Sequence, residues 1–177
     1  LPGQAKTRLI PALGEAGAAA LQQHLLDTTL AMAGERPCGA LQLWCTPDTG
    51  HPAFTGGAAR YPLQLQQQLG DDLGARMAHA FERALDEFSW AIIIGTDCPD
   101  LTTDDLHHAA GLLHQGADCV LGPAADGGYY LLGLRRFEPS LFNDMVWGGD
   151  GVLAETRRRL QQLGMVTRLL EVKHDLD

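Results

Sequence analysis

Hydrophobic positions along the chain change period repeatedly, and each change marks an element. Over residues 15–32, Leu21, Leu25, Thr28, Thr29 and Met32 share one face of a run rich in Ala, Leu and Gln. That pattern predicts an amphipathic helix, with Gly34 as its stop. Residues 40–46 (ALQLWCT) alternate and then meet Pro47-Asp48, the pattern of a strand and turn. A second helix is predicted over 71–88, where Leu73, Met77, Phe81 and Leu85 are spaced by four. Residues 90–95 (WAIIIG) are a short, continuous, β-branched run, as expected of a strand buried on both faces. Thr102, with Asp105 three residues on, opens a third helix over 102–114 in a pattern close to a capping box. Strands are predicted over 117–121 and 129–134, a fourth helix over 150–163 and a last strand over 165–172. Residues 1–11 and 49–62 lack periodicity and are expected to be loops. Strands alternating with helices predict an α/β fold with a mostly parallel sheet. In such folds ligands bind beyond the carboxyl ends of the strands.

Composition narrows the function classes. A chain of 177 residues is expected to be one domain with a sizeable core. Its apolar runs fall far short of the ~20 residues of a membrane span. The 13 basic residues stand against 22 acidic ones, a net charge of −9. Polymeric nucleic acid is therefore not an expected partner, since it needs a basic footprint. Cys38, Cys45, Cys98 and Cys119 form no C-x-x-C pair. Free thiols in a reducing cytoplasm are expected.

Three segments carry candidate chemistry. In the first, PGQAKTRL (residues 2–9), Gly3 lets backbone approach a phosphate while Lys6 and Arg8 supply charge. This is neither a P-loop nor a dinucleotide fingerprint, and an exposed basic loop is the alternative. In the second, IGTDCPDL (residues 94–101), a buried strand runs directly into Asp97. A carboxylate fixed at a strand end facing the crevice suits Mg²⁺, which binds through one or two carboxylates plus substrate phosphates. Asp100, Asp104 and Asp105 suit helix capping better than ligation. In the third, GPAADGGYY (residues 122–130), Asp126-Gly127-Gly128 lies between two strands. It reads either as a hairpin turn or as a loop whose bare backbone meets a small ligand. Asp175 and Asp177, spaced by two on an extended segment, point the same way. They either complete a metal site with Asp97 or form a solvated end. Trp147, before Gly148-Gly149, is a candidate pocket wall or a packing residue. No histidine metal site is expected, because His108 and His114 lack the spacing of a helical pair.

In combination, PGQAKTRL, LGDDLGARM (residues 69–77), GTDCPDL, GPAADGGYYLLGL and the closing HDLD resemble a bacterial family of small GT-A-fold transferases. The family is glycosyltransferase-like, of the radical-SAM/selenoprotein-associated type, within the nucleotide-diphospho-sugar transferase superfamily. The resemblance covers nearly the whole chain and implies a three-layer GT-A fold. It implies that the loop with Gly3, Lys6 and Arg8 holds nucleotide phosphates, and that Gln68, Gly70 and Gly74 lie beside the base and ribose. It implies that Asp97 binds Mg²⁺ or Mn²⁺, with Asp175 or Asp177 as the second ligand. Asp126, Gly127, Gly128 and Tyr129 are then the loop facing the sugar or acceptor. Members of the family carry a β-strand before the phosphate loop, whereas this sequence opens inside that loop and without an initiator Met. A first strand ahead of Leu1 is therefore expected.

The expected function is that of a metal-dependent transferase taking a nucleotide or nucleotide-sugar and a small-molecule acceptor. Lys6, Arg8 and Asp97 would stabilise the developing charge. Nucleotidyl and glycosyl transfer use the same cradle, so both stay open. The alternative is a non-catalytic nucleotide sensor on the same fold.

Overall fold

The computed structural model describes residues 6–176. Gly3 and Asp177 lie outside them. A 3-10 turn (Thr7–Leu9) leads into α1 (Ile10–Glu35). The remaining elements run β1 (Leu41–Cys45), α2 (Pro52–Arg60), β2 (Leu63–Gln67), α3 (Leu73–Glu87), β3 (Ala91–Ile94), α4 (Thr103–His114), β4 (Cys119–Pro123), β5 (Tyr129–Leu134), α5 (Val152–Gln162) and β6 (Thr167–Leu169).

Two expected loops are corrected. Residues 7–11 are the 3-10 turn and the start of α1, where Pro11 suits a first turn whose N–H groups have no helical acceptor anyway. The non-helical backbone at Gly14 (φ 69°, ψ 167°) divides this opening turn from the amphipathic part, the stretch whose periodicity is visible in sequence. Residues 52–60 form α2, with Pro52 in its first turn and the His51 ring accepting the Ala53 N–H at 3.2 Å. Its Gly56-Gly57 pair hides the helix from a pattern reading. A Cβ on Gly57 would come within 2.6 Å of Leu30, so the glycine permits α2 to lie close against α1. β2 is the strand without an expected counterpart; Leu63 and Leu65 carry its alternation.

The strands form two sheets. β1 and β2 pair in parallel, and a four-stranded sheet runs β3-β5-β4-β6. β4 pairs with β6 in parallel, while β5 is antiparallel to both β3 and β4. The reversal at β5 follows from its short connection, since residues 124–128 cannot make the crossover a parallel pair needs. Side chains alternate between the two faces of this sheet except at the register shift beside Gly122 and Pro123, where Tyr130 and Leu131 share a face. Val120, Tyr130 and Leu131 pack with Leu106, Ala109 and Leu113 of α4, together with Ala33 of α1. Cys119, Leu121, Leu132 and Leu134 pack with Phe81 of α3 and Leu160 of α5. Helices on both faces make three layers.

The capping box of α4 is complete. The Thr102 N–H donates to Asp105 at 2.8 Å and the Asp105 N–H to the Thr102 hydroxyl at 3.2 Å. Asp105 also meets Lys173 at 3.0 Å. We expect Thr102→Ala to cost about 1 kcal/mol in urea denaturation. A loss below the error of that measurement would show that Asp105 and Lys173 hold the turn without the hydroxyl.

Candidate functional site

A cavity of about 1710 Å³ lies between the two sheets. Residues 39–47 with β1 bound one side, and residues 88–97 with β3 bound the other. Among the described residues, β1 pairs only with β2 and β3 only with β5, so each keeps a free edge. Leu26, Leu30 and Ala33 of α1 and Met77, Ala80 and Ala84 of α3 give the inner part apolar walls. Polar groups line the cavity as well, among them Lys6, Gln68, Asp97, Asp126 and Asp175, with the bare backbone of Gly128. Around Asp97 these polar groups form the mouth of the cleft, where a polar ligand finds side-chain partners.

Asp97 stands three residues past β3, as expected of a strand-end carboxylate. Gly95 makes its orientation possible, since a Cβ there would come within 2.6 Å of the Asp97 Oδ1. Lys6 Nζ donates to Asp97 Oδ2 at 3.2 Å and also to the Leu176 carbonyl. The Leu176 N–H in turn donates to the Asp97 carbonyl at 2.8 Å. The C-terminal arm is thereby tied to the strand end and carries Asp175 onto the cavity wall. Its other attachment is to the glycine loop: the Ala125 N–H donates to the Lys173 carbonyl at 2.9 Å, and the Lys173 N–H to Pro123 at 3.1 Å.

The Asp126-Gly127-Gly128 segment is both a hairpin connection and a wall of the cleft. Asp126 Oδ1 accepts the Gly128 N–H at 2.8 Å, fixing the turn. Gly127 (φ 93°) lies directly against the next loop, where a Cβ would come within 2.1 Å of the Asp150 carbonyl. Its own carbonyl accepts the Leu153 N–H at 2.9 Å. Tyr129 lines the cavity at the start of β5, and burial pushes its hydroxyl well above the usual tyrosine range. Beside Asp97, burial raises the Cys98 thiol too, which keeps it protonated rather than a nucleophilic thiolate.

The other expected site residues are placed differently from one another. Gln68 lines the cavity, with its Nε2 donating to the Trp44 carbonyl at 3.1 Å. Gly70 is off the cavity wall; its carbonyl accepts Arg76 Nε at 3.0 Å. Gly74 is buried at the start of α3 beneath Trp147, whose Nε1 would be 2.2 Å from a Cβ there. Arg8 is exposed on the 3-10 turn and is not part of the cavity wall. Trp147, Gly148 and Gly149 do line the cavity, which makes the indole a wall residue. Gly95 was missed by sequence reasoning; its signal was a glycine two residues before the carboxylate.

The donor set suits a hard divalent cation: carboxylates and a carbonyl, with an ammonium already held at Asp97. No group of three His, Cys, Asp or Glu among the described residues forms a complete metal cluster. A cation held there would therefore need further ligands from outside these residues. No helix among the described residues is long and apolar enough to cross a membrane.

A crystal structure of a proposed nucleotide-diphospho-sugar transferase from Desulfovibrio desulfuricans G20 is 31% identical, with a TM-score of 0.89, over 100% of this chain and 78% of that one. CMP:2-keto-3-deoxy-manno-octonic acid synthetase, solved with CTP, is 12% identical with a TM-score of 0.56, over 84% of this chain and 78% of that one. The second likeness bears on the fold alone. No curated protein matches the chain. The fold is that of the nucleotide-diphospho-sugar transferases. Residues 29–149 match the family described as an uncharacterized protein conserved in bacteria (DUF2064), and the chain belongs to that family.

Proposed function

We propose that the chain is a nucleotide-using transferase, binding a nucleotide or nucleotide-sugar at the cleft mouth and transferring part of it to a small-molecule acceptor. The reading rests on the convergence of Lys6, Asp97 and Asp175 at the carboxyl end of β3, opposite a glycine loop. Lys6 supplies a point charge to the phosphates, and Arg8 approaches them from the adjoining turn. Gln68 meets the base or ribose through its carbonyl oxygen, its amide nitrogen being engaged by Trp44. Gly70 and Gly74 act through the shape of the wall, by seating Arg76 and Trp147. Asp97 and Asp175 are the described residues to hold Mg²⁺ or Mn²⁺, with Asp177 as a further candidate. When bound, such an ion neutralises phosphate oxygens.

Asp126, Gly127, Gly128 and Tyr129 form the acceptor side. In nucleotidyl transfer, an acceptor phosphate oxygen forms a bond to the α-phosphorus of a nucleoside triphosphate and pyrophosphate leaves. In glycosyl transfer, an acceptor hydroxyl oxygen bonds the anomeric carbon, the bond from that carbon to the nucleoside diphosphate breaks, and the hydroxyl proton passes to the leaving diphosphate or to water. Neither requires a protein nucleophile, which agrees with a buried, protonated Cys98 beside Asp97.

Thermal-shift screening tests the reading, using CTP, GTP, UDP-sugars and GDP-sugars with and without Mg²⁺ or Mn²⁺. A ligand at a hundred times its Kd adds about 2.7 kcal/mol. For a chain of this size that raises the Tm by roughly 5–10 °C. A shift by triphosphates favours nucleotidyl transfer, and one by sugar nucleotides favours glycosyl transfer. If none of these ligands moves the transition with either metal, the reading fails.

A further inference from the structure

We infer that the Lys6 ammonium stands in for a divalent cation at Asp97, so that Lys6 and the metal exclude one another there and the nucleotide resolves the conflict. The inference deepens the transferase reading and rests on it for the nucleotide's part. Its evidence is local to Lys6.

Lys6 is not an ordinary surface ion pair. Its side chain is 9% exposed while that of Asp97 is 42% exposed, so the ammonium is the inner member of the pair. It is held at 3.2 Å from one carboxylate oxygen and also donates to the Leu176 carbonyl. A carboxylate and a backbone carbonyl are ligands that a hard divalent cation takes. The Leu176 carbonyl belongs to the arm that carries Asp175, so the ammonium bridges the two strands of chain that would embrace an ion.

The backbone at Lys6 adds to this. Its φ of 47° and ψ of 49° place a non-glycine residue in the left-handed region. Such strain persists where surrounding structure imposes it, and it concentrates at binding and switching positions. Here the side chain's partners lie 91 and 170 residues away in sequence, so tertiary contacts hold the strained conformation.

A divalent ion held at Asp97 would take a carboxylate oxygen as a ligand. The ammonium is already close to that carboxylate. A second positive charge on the same carboxylate meets the repulsion of an ammonium held 3.2 Å from it and itself only 9% exposed, so little solvent screens the inner side of the pair. Lys6 must therefore leave for the ion to enter. Nucleotide phosphates offer the ammonium new acceptors at the same mouth. The consequence is an order of events: metal alone binds poorly, and metal with nucleotide binds well. Lys6 is thus a positioning residue whose contact with Asp97 guards the site against free metal.

The test is titration with Mn²⁺ alone, reading free Mn²⁺ by electron paramagnetic resonance. Wild type, Lys6→Met, Lys6→Arg and Asp97→Ala are compared, after circular dichroism shows each folded. Lys6→Met is expected to bind Mn²⁺ about tenfold tighter than wild type, or ~1.4 kcal/mol. Lys6→Arg, which keeps the charge, is expected to stay near wild type. Lys6→Gln serves if the Met variant does not fold. Equal or weaker Mn²⁺ binding on neutralising Lys6 overturns the inference, as does binding no tighter than that of Asp97→Ala. A wild type that binds no nucleotide defeats the transferase reading instead, and leaves the Mn²⁺ comparison standing.

Discussion

Asp97→Ala is expected to abolish metal-dependent nucleotide binding while leaving the protein folded. The carboxylate lines the cavity mouth beyond β3, and the side chains that make the core lie elsewhere. The substitution takes a carboxylate from the buried Lys6 ammonium, which keeps the Leu176 carbonyl, so the cost in stability is expected to be about 1–3 kcal/mol. The Leu176 N–H bond to residue 97 uses the backbone carbonyl and survives the change, so the C-terminal arm keeps its place. Calorimetry with nucleotide, with and without Mg²⁺, gives the binding result, and urea denaturation gives the stability. A variant that retains metal-dependent affinity would remove Asp97 from the site. One that unfolds would make it a structural residue.

Gly127→Val is expected to destabilise the fold by about 2–5 kcal/mol, combining left-handed backbone strain with overpacking. The φ of 93° is one a β-branched residue scarcely adopts, and a Cβ would be 2.1 Å from the Asp150 carbonyl. The way out is to move the 147–151 loop, which carries Trp147 and leads into α5. The acceptor wall would loosen with it, while the nucleotide side, at Lys6 and Asp97, is expected to keep its affinity within about 1 kcal/mol in the folded fraction. Urea denaturation followed by tryptophan fluorescence checks the first part, and nucleotide titration the second. Stability within ~0.5 kcal/mol of wild type would show that the Asp150 loop yields freely. A tenfold loss of nucleotide affinity, about 1.4 kcal/mol, would put the glycine loop on the nucleotide side.

Local pattern carried the regular elements whose burial repeats with their own period. The spacing by four of Leu73, Met77, Phe81 and Leu85 identified α3, and the Thr102–Asp105 pair identified the start of α4, because both rest on neighbours within a few residues. An aspartate just past the end of a strand was enough to select Asp97, since the carboxyl ends of strands in this class open onto the cleft. The motifs together also carried the family.

Other features depend on contacts between distant segments. α2 was hidden by Gly56-Gly57, glycines whose purpose is visible only with Leu30 of α1 laid against them. Gly74 reads in sequence as part of a ligand segment, yet its burial is under Trp147, 73 residues further along the chain. The reversal of β5 within the sheet, and the tie of the C-terminal arm to both the glycine loop and Asp97, are likewise tertiary decisions. So is the seat of Lys6. The residue types around the cleft mouth were legible because chemistry follows from side-chain identity. Which of them meet was not, because an ion pair between residues 6 and 97 is made by the packing of β3 and the C-terminal arm, and leaves no periodicity in either segment.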